Sequence, residues 1–177
     1  MSGKRIEDYA LIGDGQSAAL VNRAGTIEWL CLPRFDSEAC FASLLGEEEN
    51  GCWKMTVAGD VRETTRRYRG ASLILETQIV TDAGKVRLTD FMPIRGKAPD
   101  VVRIVECVEG EVDIVSALAV RFDYGRIHPL VRSGDDGSAV AISGPDGISL
   151  HFEVPIEFDD RRFISRFHLL EGEKKTF

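Results

Sequence analysis

The sequence is short of basic charge, poor in tryptophan and histidine, and without a long apolar run. Lysine and arginine number 22 against 29 aspartate and glutamate, for a net charge of -7. A nucleic-acid binder needs a basic footprint to displace phosphate counterions, so this balance argues against that class. Apolar stretches are only a few residues long, far below the roughly 20 that a membrane-spanning helix needs. Residues 1–15 carry Lys4, Arg5, Glu7 and Asp8 and lack the apolar core of a secretory leader. No N-x-S/T sequon and no CxxC pair occurs. Cys31, Cys40, Cys52 and Cys107 have no histidine at metal-ligand spacing. They read as reduced, buried small hydrophobes of a cytoplasmic protein, with no metal or cofactor expected.

What is present is apolar material with a period of two. The 177 residues are 44% hydrophobic and include 9 Phe, which excludes disorder and suits one domain with its own core. Ile148, Leu150, Phe152 and Val154 share one strand face, opposite Ser149, His151 and Glu153. Val112, Ile114, Leu118 and Val120 repeat the pattern, with Ser116 as the small member. Leu73, Leu75 and Ile79 alternate with Glu76 and Gln78, as do Phe163, Phe167 and Leu169 with Arg162, Arg166 and His168. Ala24-Gly25, Asp82-Ala83-Gly84, Glu109-Gly110, Asp136-Gly137 and Asp146-Gly147 read as tight turns. This spacing predicts an all-β, antiparallel sandwich. One stretch departs from it. Phe41, Leu44 and Leu45 fall at helical spacing, with Asp36 or Ser37 as cap and Gly46 as stop, which predicts a short helix over residues 38–45.

Few residues suggest chemistry. Gly13-Asp14-Gly15 has no following GK[ST] and reads as a turn, and Asp135-Asp136-Gly137 lacks the further ligands of a calcium loop. Glu47-Glu48-Glu49 reads as a solvated acidic loop, and His128, His151 and His168 as dispersed, exposed histidines. Trp29 and Trp53 read as core residues, with a sugar-stacking platform as the alternative. More is carried by Arg34-Phe35-Asp36-Ser37 and Arg121-Phe122-Asp123-Tyr124-Gly125. Each sets a guanidinium, a ring and a carboxylate at a strand exit. Such a triplet can hold sugar hydroxyls, or it can be a structural bridge closing the sandwich edge.

Residues 6–15, 18–21 and 25–37 closely resemble the opening of bacterial glycoside hydrolase family 15 proteins, the glucoamylase, glucodextranase and trehalase-like enzymes. The resemblance continues through Phe41-Ala42-Ser43-Leu44-Leu45-Gly46, Thr65-Arg66-Arg67-Tyr68, Leu88-Thr89-Asp90-Phe91-Met92-Pro93, Val102-Arg103-Ile104-Val105 and residues 121–125. It implies an antiparallel supersandwich of the galactose-mutarotase-like kind, followed by an (α/α)6 catalytic barrel in the same polypeptide. It also implies inverting hydrolysis of α-glucosidic bonds, in which one carboxylic acid protonates the leaving oxygen and one carboxylate activates water. Both glutamates belong to the barrel in that family, so no catalytic residue is assigned here.

The expectation is therefore a non-catalytic N-terminal domain, residues 1–177, that scaffolds the barrel and acts with it on trehalose or α-glucan oligosaccharides. Arg34, Phe35, Asp36, Ser37, Phe122, Asp123 and Tyr124 are the candidate barrel-facing or substrate-entrance residues, with an α-glucoside near that interface. Residues 172–175 read as a turn and Phe177 as the start of a return strand, so the domain is expected to stop short of its last strands. An apolar docking patch would also permit a homo-oligomer. The alternatives are a free-standing carbohydrate-binding or protein-interaction module, and a small sandwich enzyme complete in itself.

Overall fold

The period-two pattern becomes strand along most of the chain, and the computed structural model describes residues 5–134, 137–159 and 161–177. The strands are β1 (Ala10–Gly13), β2 (Ala18–Val21), β3 (Ile27–Cys31), β4 (Ala39–Phe41) and β5 (Cys52–Val57). They continue with β6 (Val61–Tyr68), β7 (Leu75–Thr81), β8 (Gly84–Phe91), β9 (Val102–Ala119) and β10 (Leu130–Ser133). The last are β11 (Ser138–Ser143), β12 (Asp146–His151), β13 (Glu157–Asp159), β14 (Arg162–Leu170) and β15 (Lys174–Thr176). The expected all-β, antiparallel class holds, with a curled sheet wrapped around an apolar core.

The 18-residue β9 organises the whole. Its first half pairs with β8 and β15, and its second half with β5 and β14. One side of the sandwich is thus β1-β2-β3-β5-β9-β14-β13, and the other is β6-β7-β8-β9-β15. Glu109-Gly110 is no hairpin turn, contrary to its sequence signature. Gly110 has φ 75° inside β9, where the register against β8 shifts and the strand bends from one sheet into the other. A positive φ is needed in both settings, so the glycine alone does not distinguish a bend from a turn. β10, β11 and β12 form a separate three-stranded sheet whose Ala139, Ala141 and Leu150 face the core.

Two further expectations change. The helix over residues 38–45 is replaced by β4, paired with β3, and a single 3-10 turn over Ser43–Leu45. Residues 39–43 are buried without a break, so no polar helical face exists, and Leu45 is 76% exposed. Residues 171–173 also do not reverse the chain. β15 continues along β9 in the direction of β14, and Phe177 packs inward against Trp53, Phe152 and Phe167.

An ion pair lies between the sheets. Arg103 on β9 and Asp90 on β8 are each about 1% exposed, with Nε to Oδ1 at 2.8 Å and Nη2 to Oδ2 at 3.2 Å. Nη1 donates to the Trp53 carbonyl at 2.7 Å, and Nη2 also donates to the Gly25 carbonyl. The guanidinium stands 5.2 Å from the Trp53 ring centroid. Gly25 has φ 80°, a left-handed backbone that favours glycine, and a Cβ there would come within 2.8 Å of Leu88 Cδ1 and press that side chain aside. The outer strands are linked by side chains. The Tyr68 hydroxyl donates to the Leu11 carbonyl and accepts from the Leu11 amide, both at 2.9 Å.

Removing one member of a buried pair strands the other charge. Asp90→Ala should cost about 3–5 kcal/mol of unfolding free energy in a urea titration. The double change Asp90→Leu with Arg103→Met should recover much of that loss. A loss below about 1 kcal/mol for the single variant would show that the pair is dispensable.

Candidate functional site

Five connections gather at one end of the sandwich: residues 14–17, 32–38, 69–74, 92–101 and 120–129. Asp14 starts this arrangement. Its carboxylate accepts from the Gln16 and Ser17 amides at 2.9 and 2.7 Å and from Arg95 Nε at 2.7 Å, with the Asp14 side chain fully buried. Burial pushes its carboxyl upward, but Arg95 and the two amides outweigh that and hold it below the usual range. Gly13-Asp14-Gly15 is therefore a turn, as its sequence suggests, and it ties the loop containing Arg95 to the first hairpin. Arg95 pairs across 81 positions of sequence, and nothing local marks it.

The first candidate triplet is presented to solvent. The Phe35 amide donates to the Gln16 carbonyl at 2.9 Å, which fixes the loop while the Phe35 ring stays 66% exposed. Arg34 and Asp36 make a fork, with Nε to Oδ1 at 2.8 Å and Nη2 to Oδ2 at 3.4 Å. The contact holds the Asp36 carboxyl low and raises Arg34. Ser37 Oγ accepts from the Arg34 amide at 3.2 Å and closes the loop. Phe35 also borders a shallow hollow of about 220 Å³ with Leu11, Gly13 and Leu73.

The second triplet is divided between core and surface. Arg121 is 2% exposed and turns inward, where Nη1 donates to the carbonyls of Val120 and Arg161 at 2.7 and 3.1 Å. It cannot offer a fork to a ligand. Phe122 packs against the core and bridges to Ile127. Asp123 and Tyr124 hold φ of 47° and 56°, followed by Gly125 at 90°. A left-handed backbone at non-glycine residues costs about 1–2 kcal/mol each. It is secured here by the Tyr124 amide donating to the Ala39 carbonyl and the Arg126 amide to the Asp123 carbonyl, both at 3.1 Å. The result presents the Tyr124 ring, 44% exposed, beside Trp29 at 6.2 Å between centroids.

β4 brings the two triplets together. Arg121 and Tyr124 donate to the carbonyls of Cys40 and Ala39, so the second loop lies against the strand that the first loop enters. Trp53 is core, with Nε1 donating to Ser116 Oγ at 3.0 Å, whereas Trp29 is half-buried at the site. The exposed tips include Ile94, 97% exposed, which carried no sequence signal.

Other expected features fall elsewhere. Glu48 pairs with Lys54 at 2.8 Å and with Arg162 at 3.5 Å, and Glu49 also meets Arg162. The acidic loop is thus partly neutralised. Asp135 and Asp136 lie outside the described residues, and all three histidines are exposed. The four cysteines are free and buried, and burial pushes the Cys52 thiol up to about 11. Among the described residues, no three His, Cys, Asp or Glu side chains converge as a metal-ligand set, and no helix is long and apolar enough to cross a membrane.

The chain is an all-β sandwich with exposed polar and aromatic residues on the loops at one end. The chain belongs to the trehalase-like N-terminal family, whose pattern matches residues 1–152. It is 31% identical to the trehalase of Mycobacterium tuberculosis over 95% of its own length and 28% of that protein's. It is 31% identical to the trehalase of Thermoplasma volcanium over 89% and 26%, and 28% identical to that of Mycolicibacterium smegmatis over 95% and 29%. The chain therefore spans less than a third of the curated relatives it matches. No solved structure matches it significantly.

Two predictions follow from local chemistry. Asp123→Gly relieves a left-handed residue whose partner Arg126 is 3.5 Å away and exposed. It should leave stability unchanged or raise it by up to about 1 kcal/mol, while Asp123→Val should cost at least that much. Thermal melts that rank the two in the opposite order would refute the strain. His168 is raised by its hydrogen bond to Asp113, against some desolvation, and further by the charges of Asp113, Glu111 and Glu173. A raised folded pKa stabilises fully below the unfolded value near 6.5 and is lost as pH rises through the folded value. His168→Gln should flatten stability against pH in that window. An unchanged profile would remove His168 as its source.

Proposed function

We propose that this chain is the non-catalytic N-terminal domain of a trehalase-like, family 15-type glycoside hydrolase. The whole polypeptide hydrolyses α-glucosidic bonds, in trehalose or α-glucan oligosaccharides, with inversion, and works in the cytoplasm. The observation that carries the reading is the family match over residues 1–152, within relatives more than three times as long. The two carboxyl groups of the inverting reaction, one acid and one base acting on water, come from a helical barrel that follows in the same polypeptide.

The domain docks on that barrel by its loop end. Supporting this are the exposed Phe35, the Arg34–Asp36 fork and the Tyr124 ring, on loops tied by backbone hydrogen bonds, and the exposed Ile94, on a loop tied by the Arg95–Asp14 pair. Phe35 and Ile94 supply apolar contact. The fork and the Tyr124 ring border the substrate entrance, where guanidinium, carboxylate and ring can meet sugar hydroxyls and C–H faces. A second reading, a carbohydrate-binding module active by itself, is favoured only by the Trp29–Tyr124 pair.

A chimera tests the assignment by placing this chain ahead of the part of Mycobacterium tuberculosis trehalase beyond its matched stretch. It should release glucose from trehalose, and Arg34→Ala with Asp36→Ala should lower kcat/KM by about tenfold or more. Unchanged kinetics and unchanged melting would remove those residues from the interface. A chimera inert on trehalose and maltooligosaccharides, beside an active parent enzyme, would overturn the reading.

A further inference from the structure

The sandwich is not closed on its side away from Tyr68. A cleft of about 290 Å³ opens between residues 99–102 and β12, and reaches the core side chains Trp53, Leu118 and Phe177. Its walls include Val101, Ile148 and Phe152, with Asp100 and His151 at the same walls. Core residues bordering open space on one side forgo contacts that a packed interior would supply.

Both walls are prepared for an extended chain. Among the described residues β12 pairs only with β11, so its other edge has no strand partner. On the opposite wall the Phe177 amide and carbonyl exchange hydrogen bonds with Arg103 at 3.0 and 3.1 Å. Antiparallel pairing alternates, so the next position of β9's line to face that side is Val101, which is itself a wall of the cleft. The line of β15 thus points between the two walls.

We propose that this cleft is the seat of an extended segment of the longer polypeptide, running on the line of β15 with apolar residues at alternate positions. Its backbone adds to the sheet, and every second side chain fills the cleft over Trp53 and Leu118. This mode takes affinity from main-chain hydrogen bonds and selectivity from pockets for alternate side chains. The occupant follows from length, because this chain spans only 26–29% of the three trehalases described above. The inference shares with the proposed function the premise of a longer polypeptide, but it concerns the cleft beneath Leu32, Pro93 and Val101 rather than the exposed Phe35, Ile94 and Tyr124 tips.

The test uses the 177-residue chain and a synthetic peptide of about 15 residues, a length covering a strand and its flanks. The peptide is taken from Mycobacterium tuberculosis trehalase, directly after the stretch this chain matches. Saturable amide shifts should appear at residues 100–103, 148–152 and 177, with a rise in melting temperature. A scrambled peptide of the same composition should give neither. Ile148→Glu should weaken binding by about tenfold or more, and Phe35→Ala should leave it unchanged. No saturable shift up to about 1 mM, shifts confined to residues 34–37 and 122–125, or self-association of the chain through residues 148–152 would each overturn the proposal. Peptide binding alongside an inert chimera would sink the proposed function alone.

Discussion

The fold depends on a guanidinium placed where two sheets face each other. Arg103 ties β8 through Asp90, β5 through the Trp53 carbonyl, and the β2–β3 turn through Gly25. A buried charge must be met by its partner and by enough acceptors, or it costs several kcal/mol. That demand fixes the separation of the sheets more tightly than apolar contact does, because dispersion varies gradually with distance while a bidentate contact has one geometry. Gly25 and Gly110 answer to the same constraint. One lets a turn approach the opposite sheet, and the other lets β9 bend so that its two halves face across the core.

With the sheets fixed, the loops at one end inherit a common frame. Asp14 fastens the connection bearing Arg95, Gln16 fastens the Phe35 loop, and β4 fastens the Tyr124 loop. Backbone strain at Asp123 and Tyr124 is tolerated because the segment is held on both sides, by Ala39 and by the exchange between Phe122 and Ile127. Strain of this kind persists only where surrounding structure over-determines it. Its effect here is to direct an aromatic ring outward from a strand exit that would otherwise keep it flat against the sheet.

The sequence discloses this architecture unevenly, for physical reasons. β9, β12 and β14 are visible from alternation alone, since each has one face in the core. The segment over residues 38–45 misleads because complete burial erases periodicity, leaving a helical spacing that no helix uses. Glu109-Gly110 misleads because a bend and a turn ask for the same positive φ. Arg34, Phe35, Asp36 and Tyr124 are recognisable as a type of surface, and they do lie at one end. Arg121 does not join them, because its inward rotation is decided by carbonyls at Val120 and Arg161, which local pattern does not reveal. Arg103 and Asp90 are conspicuous only through family resemblance, for a buried charge looks like a surface charge when its partner is across a hairpin.

Tyr68 supplies one oxygen where a neighbouring strand would supply an amide and a carbonyl. By donating to and accepting from Leu11, it occupies a hydrogen-bonding position on the outer edge of β1 without lengthening any sheet. Exposed strand edges are templates for pairing with other chains, and proteins commonly blunt them with charge, proline or bulges. Here a phenol from the far sheet performs that duty, aided by Arg66, whose Nη1 meets the carbonyls of Asp8 and Val21 at 3.1 and 3.2 Å. Solubility and closure of the barrel-like seam are consequently one property: any fluctuation that swings β6 away from β1 uncovers an amide and a carbonyl at Leu11 together, turning a local opening into an invitation for edge-to-edge aggregation.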